Sequence, residues 1–299
     1  MSAARRDDIR IAGWLLPAVV VGVLLLSGCG GGGDQAQPVD EQLGFDQEGI
    51  FKRQARAETL IRDCMRAQGF EYVPVDPGAQ RAALVGAAGL SEEDFEKQLG
   101  YGITTLYDKQ RNLPANPNTV IYNALTPADQ RAYDDALYGE NHGATFAQAV
   151  DTGFFGQLGG CTKSATEAVF GGKELLNTLV SLLDELDQRV VTDRRVVAAI
   201  DKWSDCMRDA GYDSLGSPEQ VDVLLARKLD LIVGPPDARR DTYDAAALAA
   251  LQRDEVAMVR NDIECEKKHV SKVQDAVQAE YEKTFREEHV DLIKGVPPA

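Results

Sequence analysis

One phrase occurs twice in this chain, and it constrains the fold more than any other feature. Cys64-Met65-Arg66-Ala67-Gln68-Gly69-Phe70 returns as Cys206-Met207-Arg208-Asp209-Ala210-Gly211-Tyr212. Each copy closes a run with helical apolar spacing, and its glycine suits the left-handed residue that commonly ends a helix. One further cysteine follows each copy, Cys161 after the first and Cys265 after the second. Four cysteines allow three pairings. An internal duplication favours the pairing in which each half closes on itself, Cys64–Cys161 with Cys206–Cys265. A metal site built from the same four residues is disfavoured, because no Cys-x-x-Cys pair is present and the residues lie far apart in sequence.

The fifth cysteine belongs to a different feature. Arg5, Arg6 and Arg10 form a basic head, Ile11 to Leu26 is almost wholly apolar, and Leu26-Ser27-Gly28-Cys29 follows. This arrangement reads as a lipoprotein signal peptide over residues 1–28, with acylation of Cys29 and attachment to the extracytoplasmic face of the cell membrane. The alternative is a single transmembrane helix, but the apolar run is shorter than the ~20 residues a span needs. Residues 29–44 are glycine-rich and polar, which predicts a flexible tether. Loss of residues 1–28 removes three arginines and two aspartates, taking the formal charge from −16 to −17. So acidic a chain lacks an electrostatic footprint for nucleic acid or anionic headgroups. An extracytoplasmic setting also suits the disulfides.

The remaining ~270 residues predict one all-α domain over 45–293. It is made of two half-repeats, 45–170 and 171–293, with a loop-rich insertion at 74–160. A first helix is expected from near Phe45 to Gln68, followed by an extended Phe70–Pro74. Within the insertion, Ser91 begins a short helix and Thr126-Pro127 another that should stop at Gly139. Residues 112–118 and 153–160 read as loop. Helical apolar spacing then runs from Cys161 to Ala210 with a break at Gly171-Gly172, from Ser217 to Val233, and from near Thr242 to Ile293 without interruption. Placing Cys206 opposite Cys265 in an antiparallel pair sets Val190 against Tyr281 and Leu186 against Phe285. The same register puts Val197 against Gln274, and the equivalent test on the first half yields no apolar match.

Together with the signal segment and the paired phrases, further residues carry a family likeness. These are Tyr101-Gly102-Ile103, Asn118 with Tyr122, Leu125, Pro127 and Asp129, then Ala132-Tyr133, and Asp262 with Cys265. They resemble uncharacterised actinobacterial lipoproteins. The resemblance spans most of the chain after residue 28 and implies an anchored extracytoplasmic protein without implying an activity.

The residues offer little catalytic chemistry. There are three histidines, His142, His269 and His289. Glu266 and His269 share a helix face as in di-iron bundles, but the second Glu-x-x-His such sites need is missing. No nucleophile elbow, zinc-protease motif or phosphate loop is present. The abundant carboxylate pairs read as solvated faces, so the chain implies no catalytic residues, no metal and no cofactor. Aromatic residues, by contrast, are unevenly placed. Phe95, Tyr101, Tyr107, Tyr122, Tyr133, Tyr138, Phe146, Phe154 and Phe155 crowd the insertion. Tyr101, Tyr107, Tyr122, Phe154 and Phe155 are candidate binding residues, since loop aromatics supply large, stiff contacts. The competing reading makes them the insertion's own core. The expected function is a non-catalytic binding or structural module whose partners are the membrane, through the lipid, and an envelope protein. The alternative is a solute-binding lipoprotein holding a small ligand between helices and insertion.

Overall fold

The computed structural model describes residues 37–76, 78, 79, 83, 92–112, 116–141 and 157–298. Cys29, Ser91, His142, Phe146, Phe154 and Phe155 lie outside the described residues, as do residues 1–28, expected as a signal peptide, and residues 29–36 of the expected tether. Every regular element among the described residues is a helix, and both expected disulfides are formed. The helices are α1 Val39–Leu43, α2 Gln47–Ala67, α3 Glu92–Leu99, α4 Tyr107–Arg111, α5 Pro117–Ala124, α6 Pro127–Tyr138 and α7 Gly160–Phe170. They continue as α8 Lys173–Thr192, α9 Arg194–Asp209, α10 Glu219–Val233, α11 Ala245–His269, α12 Ser271–Glu288 and α13 Val290–Gly295.

The two copies of the repeated phrase fold alike. Met65 and Met207 are both fully buried. Gly69 (φ 87°) and Gly211 (φ 98°) both take the left-handed conformation. The following aromatic N–H bonds back to the methionine carbonyl in each copy, Phe70 to Met65 and Tyr212 to Met207, both at 2.9 Å. In the first half α2 packs on α7, and Cys64 bonds Cys161 with their Cα atoms 5.7 Å apart. In the second half α9 packs on α11, and Cys206 bonds Cys265 at 5.8 Å.

Each half has its own core. Ala57, Ile61, Met65, Tyr133, Leu137 and Val169 fill the first, and Trp203, Met207, Leu225, Leu248, Met258 and Val259 the second. A third cluster joins the ends of the fold through Val39, Leu43, Leu179, Leu186 and Phe285. Helices α8 and α12 pack on each other, and the residues expected to face one another lie in shared clusters. Leu186 and Phe285 share one cluster, while Val190 and Tyr281 share the next.

Three expectations are corrected. The tether ends earlier than residue 44, because Val39 and Leu43, one turn apart, are both buried and α1 docks on the domain. The run from Cys161 to Ala210 breaks a second time, at Asp193. Its extended backbone (ψ 134°) and its carboxylate accepting from the Arg195 N–H at 2.8 Å cap α9. The last helix is three helices, interrupted at Val270 and at His289. Apolar spacing is blind to such breaks, since the stripe continues across them.

The insertion is shared between the halves. α5 and α6 join the first core, whereas Tyr101, Ile103 and Tyr107 pack into the second. Asn118 holds the extended segment after α2, accepting from the Val73 N–H and donating to the Val73 carbonyl, both at 2.8 Å.

Candidate functional site

The most unusual chemistry lies where the insertion meets α11. Gly100 (φ 63°) and Gly102 (φ 80°) bend the chain so that successive N–H groups converge. A Cβ on Gly100 would lie 2.7 Å from the Glu255 Cγ, so glycine is required there on steric grounds also. The N–H groups of Ile103, Thr104 and Thr105 donate to the Glu255 carboxylate at 2.9, 2.8 and 3.1 Å, joined by the Thr104 hydroxyl. Converging backbone N–H groups of this kind make an anion-binding concavity. Here the anion is the protein's own fully buried side chain.

Two turns along α11, Asp262 is also fully buried. It accepts from the Tyr101 hydroxyl at 2.6 Å and from the Trp203 indole N–H at 2.8 Å. Burial pushes the Asp262 carboxyl up to about 6, the two hydrogen bonds partly opposing the shift. One turn further, Glu266 is 5 % exposed and its Oε1 has no hydrogen-bond partner. Burial, reinforced by the charges of Asp262, Glu96 and Glu219, pushes Glu266 up to about 8. Asp222 on α10 faces the same cluster with a buried, unpartnered Oδ1, and burial pushes it up to about 6. Burial and Asp262 likewise drive the Tyr101 hydroxyl well above its ordinary value.

These groups form a latch between the insertion and α11. The better-formed recess lies between α7 and α8, lined by Leu158, Thr166, Lys173 and Leu176, and its ~10 Å³ is about one water's room. A second, of about 440 Å³, is an open shelf along α11 lined by Thr105, Ala249, Gln252, Arg253, Val256, Ala257 and Arg260.

The structure separates the candidate aromatics. Tyr101 is spent on Asp262. Tyr107 is 6 % exposed, its ring edge-on to Tyr243 at 5.7 Å and beneath the guanidinium of Arg239. Tyr122 sits on the first core, stacked edge-on against Tyr133 and donating to Asp134 at 2.8 Å. The three therefore do not share one surface. Cys265, one turn from His269, carries the disulfide. Among the described residues no three His, Cys, Asp or Glu are placed to hold a metal.

Several residues that organise the molecule escaped the sequence reading. Arg53 is 1 % exposed and donates to four backbone carbonyls, those of Leu43 (2.7 Å), Gly44 (3.1 Å), Val169 (2.8 Å) and Pro297 (2.8 Å). Its guanidinium lies 5.1 Å from the Phe170 ring centroid. Glu58 accepts from the Tyr72 hydroxyl and the Val75 N–H, both at 2.9 Å. The available signal was position. Arg53, Glu58 and Glu255 stand at three- and four-residue steps within otherwise apolar stripes, where a charged residue has to be buried.

No protein-family model, curated protein or solved structure matches this chain.

Proposed function

We propose that this protein is a lipid-anchored, non-catalytic binding or structural module on the extracytoplasmic face of the cell membrane. The observation that carries the proposal is the basic head, apolar run and Leu26-Ser27-Gly28-Cys29 ahead of a domain with two disulfides. The anchoring residue is Cys29, and the acyl chains supply the membrane attachment. Support for a non-catalytic role comes from Glu255 and Asp262, fully buried carboxylates whose hydrogen bonds hold the insertion on α11. A solute-binding role calls for an enclosed pocket of roughly 300 Å³ or more with converging polar groups. The one-water crevice and the open shelf favour a partner presented from outside.

The test is metabolic labelling with a tagged fatty acid followed by membrane fractionation. The wild-type protein should carry label and sediment with membranes, and Cys29→Ala should carry none. An unlabelled wild-type protein would overturn the anchoring.

A further inference from the structure

The open shelf along α11 combines arginines with small apolar residues. Its lining residues on the helix, Ala249, Gln252, Arg253, Val256, Ala257 and Arg260, recur at three- and four-residue steps and include no acid. Arg253 is exposed and has no acidic residue three or four positions away on its helix. It also makes no ion pair among the described residues. Other basic residues do find such partners, Lys52 with Glu48, Arg208 with Asp205 and Arg286 with Glu282. Arg260 is held in place by donating twice to the Lys97 carbonyl, at 3.2 and 2.8 Å, through Nε and one terminal nitrogen. Its other terminal nitrogen is left to bind. Gln252 donates to the Thr104 carbonyl at 3.0 Å, so its own carbonyl oxygen stays available as an acceptor. The result is a short apolar floor of Ala249, Val256 and Ala257 with two guanidinium groups along it.

The two arginines are seven residues apart on one helix, a spacing of about 10 Å. A helix lying alongside presents side chains seven positions apart at the same interval. We propose that this shelf docks an acidic helical segment of another protein, with two carboxylates meeting Arg253 and Arg260 and small apolar side chains covering Val256 and Ala257. The elongated shape argues for a peptide over a single small anion, because the shelf extends from Ala249 to Arg260, about 16 Å along the helix. Charge complementarity is local. At a net charge of −16 the molecule as a whole repels acidic ligands. With screening over about 10 Å at 0.1 M salt, attraction arises only close to an arginine that no acid engages. Arg253 has no acid three or four positions away, and Arg260, with Glu264 four residues on, makes no ion pair among the described residues. This assigns a partner chemistry to the binding-module reading and rests on that reading.

The experiment uses the full chain in detergent and a fluorescent, alanine-rich helical peptide of about 16 residues bearing two glutamates seven positions apart. Fluorescence anisotropy should show saturable binding that weakens as salt is raised. Arg253→Glu should weaken it at least tenfold, and Arg253→Lys should keep most of it. Arg253 is exposed and makes no ion pair among the described residues, so the charge reversal should leave the fold in place, and an unchanged melting curve checks this. Four results would each overturn the proposal: no binding, equal binding by Arg253→Glu, equal binding of a peptide with glutamines for glutamates, or displacement by millimolar inorganic phosphate. Sedimentation showing Arg253-dependent self-association would also overturn it, assigning the shelf to a second copy. Anchoring through Cys29 is read by labelling, so it stands or falls separately.

Discussion

Glu255 occupies the place an external anion would take in the nest of Ile103, Thr104 and Thr105 N–H groups. Its removal strands three donors in a dry setting, and each unsatisfied donor is costly. Glu255→Ala is expected to lower stability by about 3 kcal/mol in urea unfolding, with faster amide exchange confined at first to residues 100–106. Full stability in the variant would mean the nest contributes nothing. The sign is reversed at Glu266. Below about 4.5 its carboxyl is protonated in folded and unfolded chains alike, and burial carries no ionic penalty. As the pH climbs towards 8 the unfolded chain ionises freely while the folded one resists, so stability falls across that window. The slope is about 1.4 kcal/mol per pH unit for one such group. Glu266→Gln should therefore melt above the wild-type protein at pH 8.5 and close to it at pH 4.5. Parallel pH profiles for the two proteins would refute this.

At the level of the elements, the disulfides close chain separations of 97 and 59 residues. In the chain-entropy description these are worth about 5 and about 4 kcal/mol. Replacing Cys206 and Cys265 together by serine should cost up to about 4 kcal/mol by urea unfolding, since each half depends on its own bridge. The pairing was legible because the repeated phrase places one bridge in each half. So were the terminus of α2 at Gly69, the start of α6 at Thr126-Pro127 and the packing of α8 on α12, all governed by local rules or by an apolar stripe. The breaks at Asp193 and Val270 were not, because Val190 and Val196 carry an apolar stripe across the first, and Ile263, Val270 and Val273 carry one across the second. The latch was illegible for another reason. Tyr101 and Asp262 are 161 residues apart, and nothing local links a loop tyrosine to a helix aspartate. The residues that suggested a family likeness prove to be joints of the fold. Asn118 holds Val73, Tyr122 bonds Asp134, and Asp262 receives Tyr101.

At the scale of the whole molecule, Arg53 ties both ends of the described chain to the first half, its guanidinium joining α1, the end of α7 and the segment after α13. Its desolvation depresses its proton affinity, but four carbonyls and the Phe170 ring face the charge. Arg53→Met keeps the stem and removes the fork. It should cost about 2–4 kcal/mol and raise amide exchange at both 37–44 and 293–298 together, a joint response that a purely local defect would not produce. Exchange rising at only one end would show that the clamp does not couple them. The position of this clamp has a mechanical corollary. A pull applied through residue 37 reaches the domain at Leu43 and Gly44, two of the carbonyls that Arg53 grips, while Pro297 on the same guanidinium shares the load. Tension would therefore be met by Arg53, by Arg286, which donates to the Gln37 carbonyl, and by buried Val39 and Leu43 before it reached the core of either half. Under force, the first event would be the peeling of α1, a reversible slackening of a few nanometres that leaves both disulfide-closed halves folded.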